Sequence, residues 1–322
     1  MTPDERRVGF PVMGGVISKI IKRFLTDLNL QVVEPPPITE ETIRRGVKLS
    51  PDMICFPYKV TLGSIMQCLE KGANTILQQE CHHETVCRQK QFAAMQAYQL
   101  RRVGYTNFEM HGVNIRKLIQ VMSKISGKSF WETTRLTVRT LNSLELEDQQ
   151  HWDDDGINIG ILAEIYCGCD ETVNYKLEQK LRKFGANPYN TANVTDLFAR
   201  ILNDNPFNPL GLLRLATRCF KRDEKYEYKK QAQSLFTGEL GGHAIPNVES
   251  LLWLKDRGVD GIVHLLPLSC MPETTVEPYI NGICADHRIP LLRIPIDENN
   301  SEANLETRIE TFVEMIKLRK AS

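Results

Sequence analysis

Gly261-Ile-Val-His-Leu-Leu266, continued by Pro-Leu-Ser-Cys270-Met-Pro-Glu273, decides the fold. A short apolar run reads as a buried strand, the Pro, Ser and Cys that follow as a turn, and residues 273–286 as a helix. A second short run, Leu291-Leu-Arg-Ile-Pro-Ile296, and a helix over 303–318 complete a β-α-β-α order, which argues for a parallel sheet. Working outward, the same alternation recurs. Strands are predicted over 8–12, 31–34, 75–77 and 108–110, with helices over 15–28, 62–71 and 88–102. Pro35-Pro36-Pro37 closes the second strand, and Thr39 N-caps a short helix with Thr42 three positions on. Residues 112–141 turn helical, 157–166 read as a strand and 171–184 as a helix. A helical stretch over 194–235 is broken at Asn205-Pro206 and Asn208-Pro209, and one more helix covers 247–257. The class is α/β, with two small Rossmann-like parallel-sheet domains and helical insertions. We place an N-terminal Rossmann-like domain at 1–111 and a mixed region with helical insertions and one strand at 112–240. A C-terminal β-α segment at 241–322 completes the second Rossmann-like domain.

Three cysteines each follow, or closely trail, an apolar run that reads as a buried strand and stand just before a predicted helix: Cys55 after Met-Ile, Cys87 in Thr-Val-Cys-Arg-Gln, and Cys270. Ligands of open α/β sheets bind outside the carboxyl ends of the strands, so cysteines distant in sequence can meet there. A convergent thiolate set is what an iron–sulfur cluster requires. Lys+Arg and Asp+Glu are both 40, and no long basic or acidic block occurs, which excludes an electrostatic footprint for nucleic acid or a membrane surface. No apolar stretch approaches the roughly 18 residues needed to span a bilayer, and residues 1–7 lead into a strand-like run rather than a signal-peptide core. The expected location is the cytoplasm. Nine cysteines in such a compartment are kept reduced, so metal ligation or burial must account for them.

Four separated motifs then carry a resemblance: Glu34-Pro-Pro-Pro-Ile-Thr39; Ser50-Pro-Asp-Met-Ile-Cys-Phe-Pro-Tyr-Lys59 with Val-Thr-Leu-Gly63; Asp260 through Glu273; and Ile289-Pro-Leu-Leu with Ile296-Asp-Glu298 and Thr307-Arg308-Ile-Glu310. In this order they resemble the acyl-CoA dehydratase activase-related family, which is similar to the iron–sulfur subunits of 2-hydroxyacyl-CoA dehydratases. The resemblance implies a cluster protein that accepts low-potential electrons from an actin-like ATPase activator, with a homologous subunit or a second copy as further partner. Cys55 and Cys270 match family cysteines flanked by Pro, and Cys87-Arg88 matches a family Cys-Arg pair without its usual glycines. Glu164-Ile-Tyr166 matches a family run.

Cys55, Cys87 and Cys270 are accordingly the expected ligands of a 4Fe-4S cluster. Cys81, Cys167 and Cys169 would raise the thiolates to six, enough for a double-cubane cluster. Cys81 and Cys87 are not spaced as a zinc knuckle. Cys68, Cys219 and Cys284 read as core residues. Glu164 and Glu273 are candidates for tuning the site or holding a proton, although a carboxylate in the turn after Met271-Pro272 equally complements the helix dipole. Asp153-Asp-Asp155-Gly156 lacks the later Glu of a calcium loop and reads as a solvated turn. Gly14-Gly15 and Gly241-Gly242 lack the dinucleotide pattern. An electron-transfer protein without catalysis, or a cofactor-free Rossmann-like domain, are the alternatives.

Overall fold

The computed structural model describes residues 2–81, 86–114, 116–142, 152–193, 224–238 and 240–321. The chain divides into two units, Met1–Leu146 with Phe198–Lys221, and Glu147–Leu197 with Arg222–Ser322.

In the first unit β1 (Arg7–Gly9), β2 (Gln31–Val33), β3 (Thr75–Gln79) and β4 (Glu109–Val113) form an all-parallel sheet in the order β2-β1-β3-β4. Its helices are α1 (Gly15–Asp27), α2 (Glu40–Leu49), α3 (Phe56–Glu70), α4 (Phe92–Arg102), α5 (Leu118–Ser126) and α6 (Phe130–Asn142). Thr39 caps α2 as expected: its hydroxyl accepts from Thr42 N–H, and the Thr42 hydroxyl accepts from Thr39 N–H. Val8, Phe10, Phe24, Leu25 and Leu77 pack with Met122 and Ile125 of α5 and Leu136 of α6, so these helices share the core of the first sheet. Helix α3 is buried from Phe56 through Met66, which fits a run apolar on every face rather than on one stripe. It crosses α2 at two glycines. A Cβ on Gly46 would stand 1.8 Å from the Lys59 carbonyl oxygen, and one on Gly63 1.9 Å from that of Thr42.

The second unit repeats the winding. β5 (Asn158–Ala163), β6 (Asn187–Asn190), β7 (Gly261–Pro267) and β8 (Leu291–Ile296) form a parallel sheet in the order β6-β5-β7-β8. Helices α7 (Ile165–Cys169), α8 (Leu177–Lys183), α9 (Lys229–Gln233), α10 (Ala244–Asp256), α11 (Met271–Asp286) and α12 (Glu302–Ala321) complete it. Its core gathers Val248, Leu251 and Leu254 of α10 with Leu162, Ile262 and Val276. Both sheets reverse strand order beside their first strand, between β1 and β3 and between β5 and β7. The carboxyl ends there are the places where such sheets bind ligands.

The two parallel sheets agree with the α/β expectation, and several local readings are corrected. The apolar run ending at Cys55 is no strand: residues 51–55 are a turn between α2 and α3, and α3 starts at Phe56 rather than near 62. Pro51 cannot donate to a ladder, and Pro57 suits a first helical turn. Strand β6, Asn-Pro-Tyr-Asn, carried no apolar alternation, and as an edge strand it tolerates Pro188. Residues 171–176 are turns ahead of α8, and Tyr166 belongs to α7 rather than to β5. Most of the predicted helical stretch 194–235, with its two Asn-Pro breaks and Cys219, lies outside the described residues. Among the described residues no helix is long and apolar enough to cross a membrane.

Candidate functional site

Cys55 is the N-cap of α3, in extended conformation at φ −65° and ψ 150°, with Phe56 and Pro57 as the first two helical residues. No side chain caps this helix start. Cys87 likewise precedes a helical turn, the 3-10 segment Arg88–Gln91 that runs into α4. The first unit brings these two turns together. Arg88 Nη1 donates to the Met53 carbonyl at 2.8 Å, two residues before Cys55. Behind it, Tyr58 of α3 meets Phe92 of α4 edge to face at 4.9 Å between ring centroids, and its hydroxyl bonds Gln99. Gln96 donates to Thr61 Oγ1 at 2.9 Å. Cys81 is buried just beyond β3.

In the second unit, Cys270 repeats the local pattern of Cys55. It N-caps α11 in extended conformation, Met271 and Pro272 follow, and again no side chain caps the helix. Ser269 delivers it from β7 in the left-handed region at φ 62°, an uncommon conformation for a residue with a Cβ, and Cys270 N–H closes the turn onto the Pro267 carbonyl at 3.0 Å. One turn into α11, Glu273 is fully buried. Asn247 Nδ2 donates to its Oε1 at 3.1 Å and its Oε2 at 2.9 Å, and also to the Ala163 carbonyl at the end of β5 at 3.2 Å. His264, fully buried in the middle of β7, places Nε2 2.9 Å from Glu273 Oε2.

Glu164 sits at the carboxyl end of β5, where its side chain accepts from Cys167 N–H at 3.1 Å and caps α7. Burial raises its carboxyl to about 7 against the pull of that bond, and neighbouring Glu273 adds to the rise. Two carboxyl groups thus share the strand ends of this sheet. The carboxylate of Glu273 is not at a helix surface but turned inward to Asn247 and His264. Sequence reasoning missed Asn247 and His264 as members of this cluster. The available signal was a histidine within the apolar run Ile262–Leu266.

The remaining thiols sort by environment. Cys68 directs its sulfur to the Phe10 carbonyl at 3.4 Å, and burial pushes its thiol up to about 12. Cys284 is raised to about 12 by burial as well. Cys169 donates to the Ala192 carbonyl at 3.3 Å, and burial, then Glu164, Asp170 and Glu178, hold it far above the ordinary thiol range. Cys68 and Cys284 accordingly stay protonated at neutral pH, as structural thiols do. At pH 8 alkylation of Cys68 and Cys284 is expected to be about a thousandfold slower in the folded chain than in urea, since each pKa unit is a tenfold loss of thiolate. Peptide mass analysis after timed iodoacetamide treatment measures it, and equal rates would refute the burial argument.

The acidic loop behaves as the solvated turn expected: Asp153 Oδ1 accepts from Asp155 N–H at 3.1 Å and Asn158 ties the loop to β5. Gly14 and Gly242 adopt positive φ of 71° where the chain turns into α1 and α10. Among the described residues no three His, Cys, Asp or Glu side chains stand in a group able to hold a metal ion.

Residues 248–316 match the family described as 2-hydroxyglutaryl-CoA dehydratase, D-component, a segment that includes Cys270, His264 and Glu273. Residues 16–97 match a CoA enzyme activase uncharacterised domain, which includes Cys55, Cys81 and Cys87. No curated protein matches the chain. Cys167 and Cys169 lie outside both segments. The two matched segments, one in each parallel-sheet unit, support the resemblance to the acyl-CoA dehydratase and activase-related family.

Proposed function

We propose that the chain is an iron–sulfur protein of the 2-hydroxyacyl-CoA dehydratase type, in which Cys55, Cys87 and Cys270 hold a 4Fe-4S cluster. The observation that carries this reading is the shared helix start. Cys55-Phe-Pro and Cys270-Met-Pro each set a thiol in extended conformation at the head of a long helix without a side-chain cap, and each lies in a matched segment. Soft thiolate donors suit iron–sulfur clusters, and helix N-termini favour anionic groups. Arg88, by tying its turn to Met53, adds Cys87 to Cys55. Three protein ligands leave one iron open to substrate or water.

A bound cluster would supply low-potential one-electron chemistry for a reductive or radical dehydration. The electrons would come from an actin-like ATPase activator in the cytoplasm, with or without a homologous subunit. This chain contributes the thiols and, at Glu164, a carboxyl that holds its proton to near neutral pH.

Anaerobic iron and sulfide analysis tests the assignment. Cys55→Ser, Cys87→Ser and Cys270→Ser are each expected to lose most of the bound iron and the visible charge-transfer absorption, with Cys68→Ser unchanged. Full iron content in any of the first three removes that residue from the ligand set. A loss of about half the iron in Cys81→Ser, Cys167→Ser or Cys169→Ser replaces the single cluster with a double one, since one cubane of two would have lost its anchor.

A further inference from the structure

Glu273 occupies the third position of α11, where a glutamate ordinarily reaches back to the N-cap N–H or faces solvent near the positive end of the helix dipole. Here it does neither. Its carboxyl group points into the core and is held from two other elements, α10 through Asn247 and β7 through His264. Asn247 has two N–H bonds to give. One goes to the Ala163 carbonyl, and the other is shared by the two oxygens of Glu273, so one carboxamide ties the ends of β5 and α11 together.

Such a network does not stabilise cheaply. A buried carboxyl and imidazole cost several kcal/mol to desolvate, and well-packed apolar side chains of like volume are commonly as stable or more so. Among the described residues, Asn247 Oδ1 and His264 Nδ1 have no hydrogen-bond partner, which adds to the cost. What the network provides is uniqueness. Sliding or rotating α11 against β7 by one residue would carry Glu273 away from both partners at once and strand three polar groups in the core. Cys270 stands three residues before Glu273, at the head of the same helix, behind a strained left-handed Ser269.

We propose that Asn247 and His264 are positioning residues that act through Glu273 to fix the first turn of α11, and with it the thiol of Cys270. This rests on the reading of Cys270 as a cluster ligand, and it makes the buried triad the outer support that orients that ligand.

Alkylation of the cluster-free, folded chain tests it without any bound iron. In Asn247→Ala and Glu273→Ala, iodoacetamide is expected to modify Cys270 several-fold faster than in the parent, while Cys55, in the other unit, keeps its rate. Glu273→Gln, which retains an acceptor oxygen, is expected to restore most of the protection. In reconstituted protein, the same alanine variants should yield iron to a chelator about 10–100-fold more readily, the usual cost of losing an outer support. If an alanine variant melts without cooperativity, His264→Gln, which keeps its volume, carries the comparison. Unchanged Cys270 alkylation overturns the proposal, and so does an equal acceleration at Cys55 and Cys270, which would mark general loosening. Should Cys270→Ser keep its full iron while Asn247→Ala still speeds alkylation, the ligand reading fails and the positioning role stands.

Discussion

Gly63→Ala is expected to destabilise the first unit by about 3 kcal/mol or more, at the upper end of what overpacking costs. The added Cβ would stand 1.9 Å from the carbonyl oxygen of Thr42, and the mirror change Gly46→Ala would place one 1.8 Å from that of Lys59. Neither clash can be relieved by a side-chain rotation, because the atoms met are backbone on both sides. Helices α2 and α3 must therefore move apart along an interface that is buried through most of α3. Thermal unfolding measures it: for a unit of this size the loss corresponds to a midpoint lowered by about 6–12 °C. A shift under about 2 °C for both variants would show that the helices do not approach this closely. Since Cys55 is the N-cap of α3, either variant should also disturb the Cys55 turn.

The second large effect concerns pH. Glu164 has a folded-state pKa of about 7 against an ordinary value of 4.5, so the folded chain binds this proton more tightly than the unfolded one. Stability then falls as pH rises from about 4.5 to about 7, and the full penalty, about 3 kcal/mol, is present above that range. Below about 4.5 both states are protonated and the penalty vanishes. Glu164→Gln keeps a carbonyl oxygen for the Cys167 N–H and carries no charge. The variant is expected to be more stable than the parent by up to about 3 kcal/mol at pH 8 and nearly equal to it at pH 4.5. Urea unfolding at the two pH values decides it. The same difference at both would mean that the proton of Glu164 is not responsible.

Much of the fold was legible because the information is local. The central strands β3, β5 and β7 are short apolar runs, the periodicity of α1 marks a helix within a few residues of its observed ends, and Thr39 caps α2 with the bonds its side chain can make. The misreadings share one cause. An apolar run before Cys55 looks the same in a buried turn as in a strand, and the Asn-Pro-Tyr-Asn of β6 becomes a strand because β5 offers it a parallel edge. Neither partner is visible in a window of sequence.

The site divides in the same way. Cys55, Cys87 and Cys270 stood out from flanking residues and from the resemblance of their motifs, and Glu164 and Glu273 were marked as acids near them. By itself the sequence established an α/β chain of two parallel-sheet layers with thiols placed at helix starts, since strand pattern, turn residues and helix caps are written within a few positions of one another. The tertiary structure alone decided that Arg88 joins its turn to Met53, that Gly46 and Gly63 let two helices touch, and that Asn247 and His264 close on Glu273. Those contacts link residues 9 to 35 positions apart, where only the folded path of the chain sets the distance.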